Sequence, residues 1–202
     1  MKVKVCGLST IMQVKTCINY GADFCGFILN YPKSHRFISF KKALELTNLK
    51  KKNTKFVGVL VDPKMNELKK FSKLKIDYFQ IYGDYNNKQI MNIKSKFKKK
   101  IIVALQIKDK KDVLKYKKFE SAADIILWDS SGLEKSLSWD YNLIKKIQTS
   151  AIKMIAGNIN INKINIISKL ANIVDVSGAL ETNKVKDINK IKNFLRKAKK
   201  DD

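Results

Sequence analysis

A single-domain α/β fold, a closed (β/α)8 or TIM barrel, is what this sequence predicts, on three observations. Short β-branched or aromatic runs alternate with helical apolar patterns eight times along the 202 residues. The repeats are even, at about 25 residues each, near the lower limit for such barrels. A doubly wound sheet, the rival, seldom needs so many even repeats, and the Gly-x-Gly-x-x-Gly turn expected after its first strand is absent. No linker or second domain interrupts the pattern, so residues 1–202 are read as one domain.

The elements follow in order. Strand one, about Lys2 to Cys6, is followed by Thr10 as an N-cap, and Ile11, Val14, Cys17 and Ile18 fall on one helical face before Gly21 ends it. Asp23 to Leu29 makes strand two, and a loop through Pro32 and Arg36 leads to a helix opened by Ser39. Lys55 to Val61 is strand three; Asp62-Pro63 then supplies an N-cap and a first-turn proline for a helix carrying Met65, Leu68 and Phe71. Asp77 to Tyr82, ending at Gly83, is strand four, before a helix with Ile90, Ile93 and Phe97 inward. Ile101 to Gln106 is strand five, with a lysine-rich helix from Asp109. Ala123 to Trp128 is strand six and delivers Asp129; a polar loop, Ser130 to Ser138, precedes a helix containing Leu143, Ile144 and Ile147. Ile152 to Ala156 and Ile173 to Val176 are strands seven and eight, each followed by a helix, the last from Asp187, with a frayed basic tail from Lys197.

Composition excludes several classes. The longest apolar runs, such as Phe24 to Leu29, are too short to cross a bilayer, and Lys2 and Lys4 interrupt any signal-peptide core, so a cytoplasmic location is expected. Cys6, Cys17 and Cys25 lack metal-site spacing and read as free thiols. The net charge of +24 suits a nucleic-acid binder, but the lysines lie on nearly every predicted helix and form no single patch with interleaved aromatics. No specific nucleic-acid partner and no membrane are therefore expected.

On such a barrel, strand ends share one mouth, where the chemistry gathers. Cys6 ends strand one, Asp129 follows the apolar run Ile125-Ile126-Leu127-Trp128, and Asp175 lies in strand eight. A thiol of lowered pKa can act as base or nucleophile, and a carboxylic acid of raised pKa can donate a proton. A small buried apolar role is the plainer account of a free cysteine, and suits Cys17 and Cys25. Of 42 basic residues only Arg36 and Arg196 are arginine, and a guanidinium fork grips a carboxylate or phosphate where an ammonium cannot. A salt bridge to the barrel rim is the other account of Arg36. His35, the sole histidine, reads as its solvated neighbour. Ala156-Gly157-Asn158 and Val176-Ser177-Gly178 end the last two strands, where barrels commonly bind phosphate through backbone N–H groups.

Lys4-Val5-Cys6-Gly7-Leu8-Ser9, Gly21-Ala22-Asp23-Phe24-Cys25-Gly26-Phe27, Ser34-His35-Arg36-Phe37, Phe79-Gln80-Ile81-Tyr82-Gly83, Leu127-Trp128-Asp129-Ser130 and Val174-Asp175-Val176-Ser177-Gly178-Ala179-Leu180-Glu181 together resemble the phosphoribosylanthranilate isomerase family from end to end. The resemblance implies an Amadori rearrangement in tryptophan synthesis, acting on a small sugar phosphate and needing neither metal nor organic cofactor. It implies Asp129 as general acid and Cys6 as general base. It also implies substrate contacts from Arg36 (the anthranilate carboxylate), Gln80, Asp175, and Gly157, Ser177 and Gly178 (the phosphate). The chain departs from the family at Tyr82, where histidine is usual, at Asn158, where a second glycine is usual, and in Ser131 to Ser136, where the family has a glycine-rich loop. A monomer or homodimer is expected. Another phosphate-binding barrel of tryptophan or histidine synthesis, or a noncatalytic basic scaffold, remain the alternatives.

Overall fold

The computed structural model describes residues 1–130 and 137–200. Its strands β1 (Lys2–Cys6), β2 (Phe24–Ile28), β3 (Lys55–Val61), β4 (Tyr78–Tyr82), β5 (Lys100–Ile107), β6 (Ile125–Ser130), β7 (Ile152–Ile155) and β8 (Ile173–Val176) form a closed barrel in chain order. All neighbours pair in parallel, and β8 returns to β1 with Asp175 opposite Lys4. The predicted fold is therefore the observed one.

Strand periodicity sorts the side chains. Val3, Val5, Phe27, Phe56, Leu60, Ile126 and Val174 point outward under the helices, while Phe24, Val57, Tyr78, Ile102, Ile125, Met154 and Ile173 plug the barrel axis. Cys6, Gln80, Tyr82, Asp129 and Asp175 share the inward parity of that plug but lie nearer the C-terminal strand ends. Apolar filling below thus leaves chemistry only at the mouth.

The other end of the barrel is stitched. The residue just before each even-numbered strand accepts a backbone N–H from the start of the preceding strand. Asp23 bonds Val3 (2.7 Å), Asp77 bonds Phe56 (2.7 Å), Asp124 bonds Ile101 (2.8 Å) and Asn172 bonds Lys153 (3.0 Å). The three carboxylates also hold Lys199, Lys51 and Lys94. Each stitch satisfies a donor at a strand end and ties one βα unit to the next.

The helices are regular in the first half: α1 (Ile11–Asn19), α2 (Phe40–Thr47), α3 (Met65–Phe71) and α4 (Asn87–Phe97). Thr10 caps α1 as expected, accepting the Gln13 N–H. Asp62 does not cap α3. Its N–H donates to the Tyr82 carbonyl at 2.8 Å, its φ is +43°, and Glu67 reaches back to the Lys64 N–H instead. In the second half the expected long helices shrink. Asp109 caps α5 (Lys110–Val113) as predicted, but the lysine-crowded segment after it tightens into a 3-10 turn, Leu114–Lys118. Instead of a helix through Leu143, Ile144 and Ile147 there is a 3-10 turn at Tyr141–Ile144, closed by the Asp140 side chain on the Asn142 N–H. A similar turn, Ile161–Lys163, precedes α6 (Ile164–Ile167). Two short strands that the sequence did not suggest, β9 (Glu181–Thr182) and β10 (Val185–Lys186), form an antiparallel ribbon before α7 (Ile188–Lys200). The tail from Lys197 is helical as far as Lys200, with Lys199 pinned to Asp23 at 2.7 Å. No described helix is long and apolar enough to cross a membrane.

Replacing Asp77 by Ala removes an ionised acceptor from the Phe56 N–H and should cost about 1.5–3 kcal/mol in urea unfolding. Asp77→Asn keeps an acceptor and should cost less.

Candidate active site

The C-terminal strand ends surround a cavity that opens to solvent. Cys6, Arg36, Gln80, Asp129, Gly157, Asp175, Ser177 and Gly178, all of the residues singled out from the sequence, line it. Tyr82 and Asn158 line it as well.

Cys6 and Lys4 sit on the same inward face of β1. Lys4 is wholly buried, and its ammonium lies 2.7 Å from an Asp175 carboxylate oxygen and against the Cys6 thiol. Burial works against its charge, but Asp175 and Cys6 outweigh this and hold its pKa above the ordinary lysine value. Burial pushes the Cys6 thiol up; Lys4 pulls it back, and Asp175 adds to the rise. Gly26 on the neighbouring strand makes room for this packing, since a Cβ there would meet Cys6 Sγ at 3.0 Å and Lys4 Nζ at 3.2 Å. Ser177 Oγ donates to the Cys6 carbonyl at 3.0 Å, tying the loop after β8 to the end of β1.

Asp129 stands across the mouth at the end of β6. Its Oδ1 accepts the Ser130 N–H at 2.7 Å and its Oδ2 accepts the Tyr82 hydroxyl at 2.7 Å. The Tyr82 oxygen in turn accepts from Gln80 Nε2 at 3.1 Å. Burial pushes the Asp129 pKa up to about 6, with the Tyr82 hydrogen bond opposing the shift and Asp175 adding to it. Gln80 Oε1 and Asp175 Oδ1 are buried and have no partner among the described residues. Both residues line the cavity, and a buried acceptor without a partner calls for a donor.

Arg36 lies in the loop after β2 and is buried. Its Nε donates to Glu181 Oε1 at 2.6 Å and its Nη2 to Oε2 at 2.9 Å. Lys186 also contacts Glu181, and His35 Nε2 is 3.3 Å from it. Burial works against the Glu181 charge, but Arg36 and Lys186 hold its pKa at about 2. Arg36 therefore makes the rim pair and faces the cavity at once.

The turn after β7 has two consecutive left-handed residues, Gly157 at φ +98° and Asn158 at φ +47°. Asparagine tolerates this region better than most side chains, so the departure at Asn158 keeps a tight turn. A Cβ on Gly157 would meet the Trp139 ring at 3.0 Å. Trp139 donates to the Ala156 carbonyl, Tyr141 to that of Gly157 and Lys163 to that of Asn158, fixing the turn. Of the predicted loop Ser130 to Ser138, Ser130 ends β6 and residues 131–136 lie outside the described residues.

Sequence reasoning missed Lys186 and gave no role to Lys4 and Glu181, although both stand in runs that carry the family resemblance. Strand parity signals Lys4, because a lysine two residues before Cys6 must face the barrel interior and needs a carboxylate there. Nothing comparable marks Glu181 and Lys186, which meet only through the ribbon.

The family model for N-(5'-phosphoribosyl)anthranilate (PRA) isomerase matches residues 3–197. The chain belongs to that family. N-(5'-Phosphoribosyl)anthranilate isomerase of Streptococcus mutans is 35% identical, over 98% of this chain and 99% of that protein. Among solved structures, phosphoribosylanthranilate isomerase in complex with reduced 1-(o-carboxyphenylamino)-1-deoxyribulose 5-phosphate superposes with a TM-score of 0.82, at 25% identity over 99% of each chain. Monomers of the dimeric isomerase from Thermotoga maritima share the fold with a TM-score of 0.84, at 24% identity over 99% of each chain. As a PRA isomerase family member, the chain carries Tyr82 and Asn158 on the wall of the cavity.

The raised Asp129 pKa has a consequence for stability. The folded state holds this proton more tightly than the unfolded chain, so stability falls as pH rises from the ordinary carboxylate range to about 6 and stays lowered above it. Asp129→Asn removes that cost. The variant should gain on the order of 1–3 kcal/mol relative to the parent between pH 4 and pH 8, measured by denaturant unfolding at both.

Proposed function

We propose that this chain catalyses the Amadori rearrangement of N-(5-phosphoribosyl)anthranilate to 1-(2-carboxyphenylamino)-1-deoxyribulose 5-phosphate, an isomerisation of tryptophan biosynthesis, as one cytoplasmic domain working as monomer or homodimer. The observation that carries the reading is the placing of a thiol and a carboxylic acid, Cys6 and Asp129, on one cavity wall with an acid pKa of about 6.

Asp129 protonates the furanose ring oxygen. The C1'–O bond breaks as the nitrogen lone pair forms the C=N bond of a protonated Schiff base. Cys6, through the fraction that ionises beside the Lys4 ammonium against the pull of burial, removes the C2' proton, and the electron pair moves to give the enolamine. C1' then takes up a proton as O2' gives one up, leaving the ketone. Substrate and product have the same atoms, and the two protons exchanged with the side chains are reset through solvent. A pKa near 6 suits the acid, which must both hold a proton near neutrality and release it.

The remaining mouth residues bind. Arg36, held by Glu181, presents its guanidinium to the anthranilate carboxylate. Asp175 Oδ1 and Gln80 Oε1 take the amine or hydroxyl donors they lack in the free protein. Gly157, Ser177 and Gly178 receive the phosphate in the two loops that barrels use for it.

Cys6→Ala and Asp129→Asn should each lower turnover of phosphoribosylanthranilate by at least about 100-fold, with unchanged circular dichroism. Neither variant should rescue a tryptophan auxotroph lacking this isomerase, whereas the parent protein should. Full activity in either variant, or failure of the soluble parent to complement, would refute the assignment.

A further inference from the structure

The chain of contacts Gln80–Tyr82–Asp129 has a fixed direction. An ionised Asp129 can only accept, so the single Tyr82 hydroxyl proton goes to it, at 2.7 Å. The Tyr82 oxygen must then take a donor, and the Gln80 amide presents Nε2 at 3.1 Å. This leaves Gln80 Oε1 buried and bare on the cavity wall.

We propose that Tyr82 is a positioning residue for Asp129, aiming the carboxyl group across the mouth and stabilising the carboxylate that proton donation leaves behind, with Gln80 holding the tyrosine oxygen in place. This rests on Asp129 acting as the acid of the isomerase reaction. Burial alone makes Asp129 a weak acid; the Tyr82 hydrogen bond strengthens it by favouring the ionised form. Among the described residues, the titratable groups around the pair are Cys6 and Lys4 on β1, Asp175 on β8, and Tyr141 in the turn after β6. None of these is altered by removing the Tyr82 hydroxyl, so Tyr82→Phe isolates its effect.

Two measurements test this. In the unmodified protein, with 13C-labelled aspartate and tyrosine carbons assigned by Asp129→Asn and Tyr82→Phe, Asp129 should titrate near pH 6 and the Tyr82 ring carbon should shift with the same midpoint. Independent midpoints would overturn the proposal even if Tyr82→Phe fails to fold. In Tyr82→Phe, the Asp129 midpoint should rise by about one pH unit, and Tyr82→His, which restores a donor, should reverse most of the rise. Turnover should show a lower plateau together with an alkaline limb displaced upward by the same amount. A uniform loss at every pH, with the limb unmoved, would mark Tyr82 as merely structural and overturn the proposal. If the parent shows no isomerase turnover while the midpoint still rises, the isomerase reading fails and the coupling between Tyr82 and Asp129 stands.

Discussion

Closure of the barrel brings β1 against β8 in a register that sets Lys4 opposite Asp175, deep inside. Removing two charges from water costs several kcal/mol per ion, recovered only when they meet in good geometry, as here at 2.7 Å. A slip of one residue would turn Lys4 into the apolar layer under the helices and leave both ions unpaired. The pair therefore acts on register more than on net stability. Cys6, two positions beyond Lys4, and Ser177, two beyond Asp175, inherit their places at the mouth from it. The ammonium that Asp175 holds is also the one that eases ionisation of the Cys6 thiol.

Much of this was legible in the chain. The eight strands follow from β-branched and aromatic runs at even spacing, and β3 and β8 begin and end where the pattern places them. Cys6 was legible from its place at a strand end, and Asp129 because it follows an apolar run where an idle charge would be costly. The helices after β5, β6 and β7 were misjudged for a local reason. Apolar spacing marks Ile144 and Ile147, which are indeed buried, but side chains such as Asp140 and Asn160 hydrogen-bond two residues ahead and close tighter turns. Asp62 looked like a cap because proline follows it, yet the ladder to β4 claims its backbone. Long-range polar partnerships left the least trace. Arg36 and Glu181 stand 145 positions apart and meet only because the ribbon folds back over the loop after β2.

That ribbon explains how one arginine serves two purposes. Glu181 grips Arg36 by a two-point fork and Lys186 closes on the same carboxylate, so the guanidinium is oriented before any ligand arrives. Pre-orientation removes part of the entropy cost of binding, at the expense of competition for the guanidinium's donors. Tyr82 stands to Asp129 as Glu181 stands to Arg36. In both cases a residue outside the reacting pair decides where a charged group points.

The sequence has 42 basic residues and only 18 acidic ones, and six of the acids are committed in place. Asp23, Asp77 and Asp124 are spent on strand ends at one pole, while Asp129, Asp175 and Glu181 are enclosed at the other. The lysines outnumber all the acids by more than two to one, so the body presents a positive field to small anions. A molecule carrying both a phosphate and a carboxylate is drawn in by that field from beyond contact distance. Its rate of encounter is then governed by ionic strength, quick in dilute buffer and slowed once the screening length shrinks to about 8 Å at physiological salt.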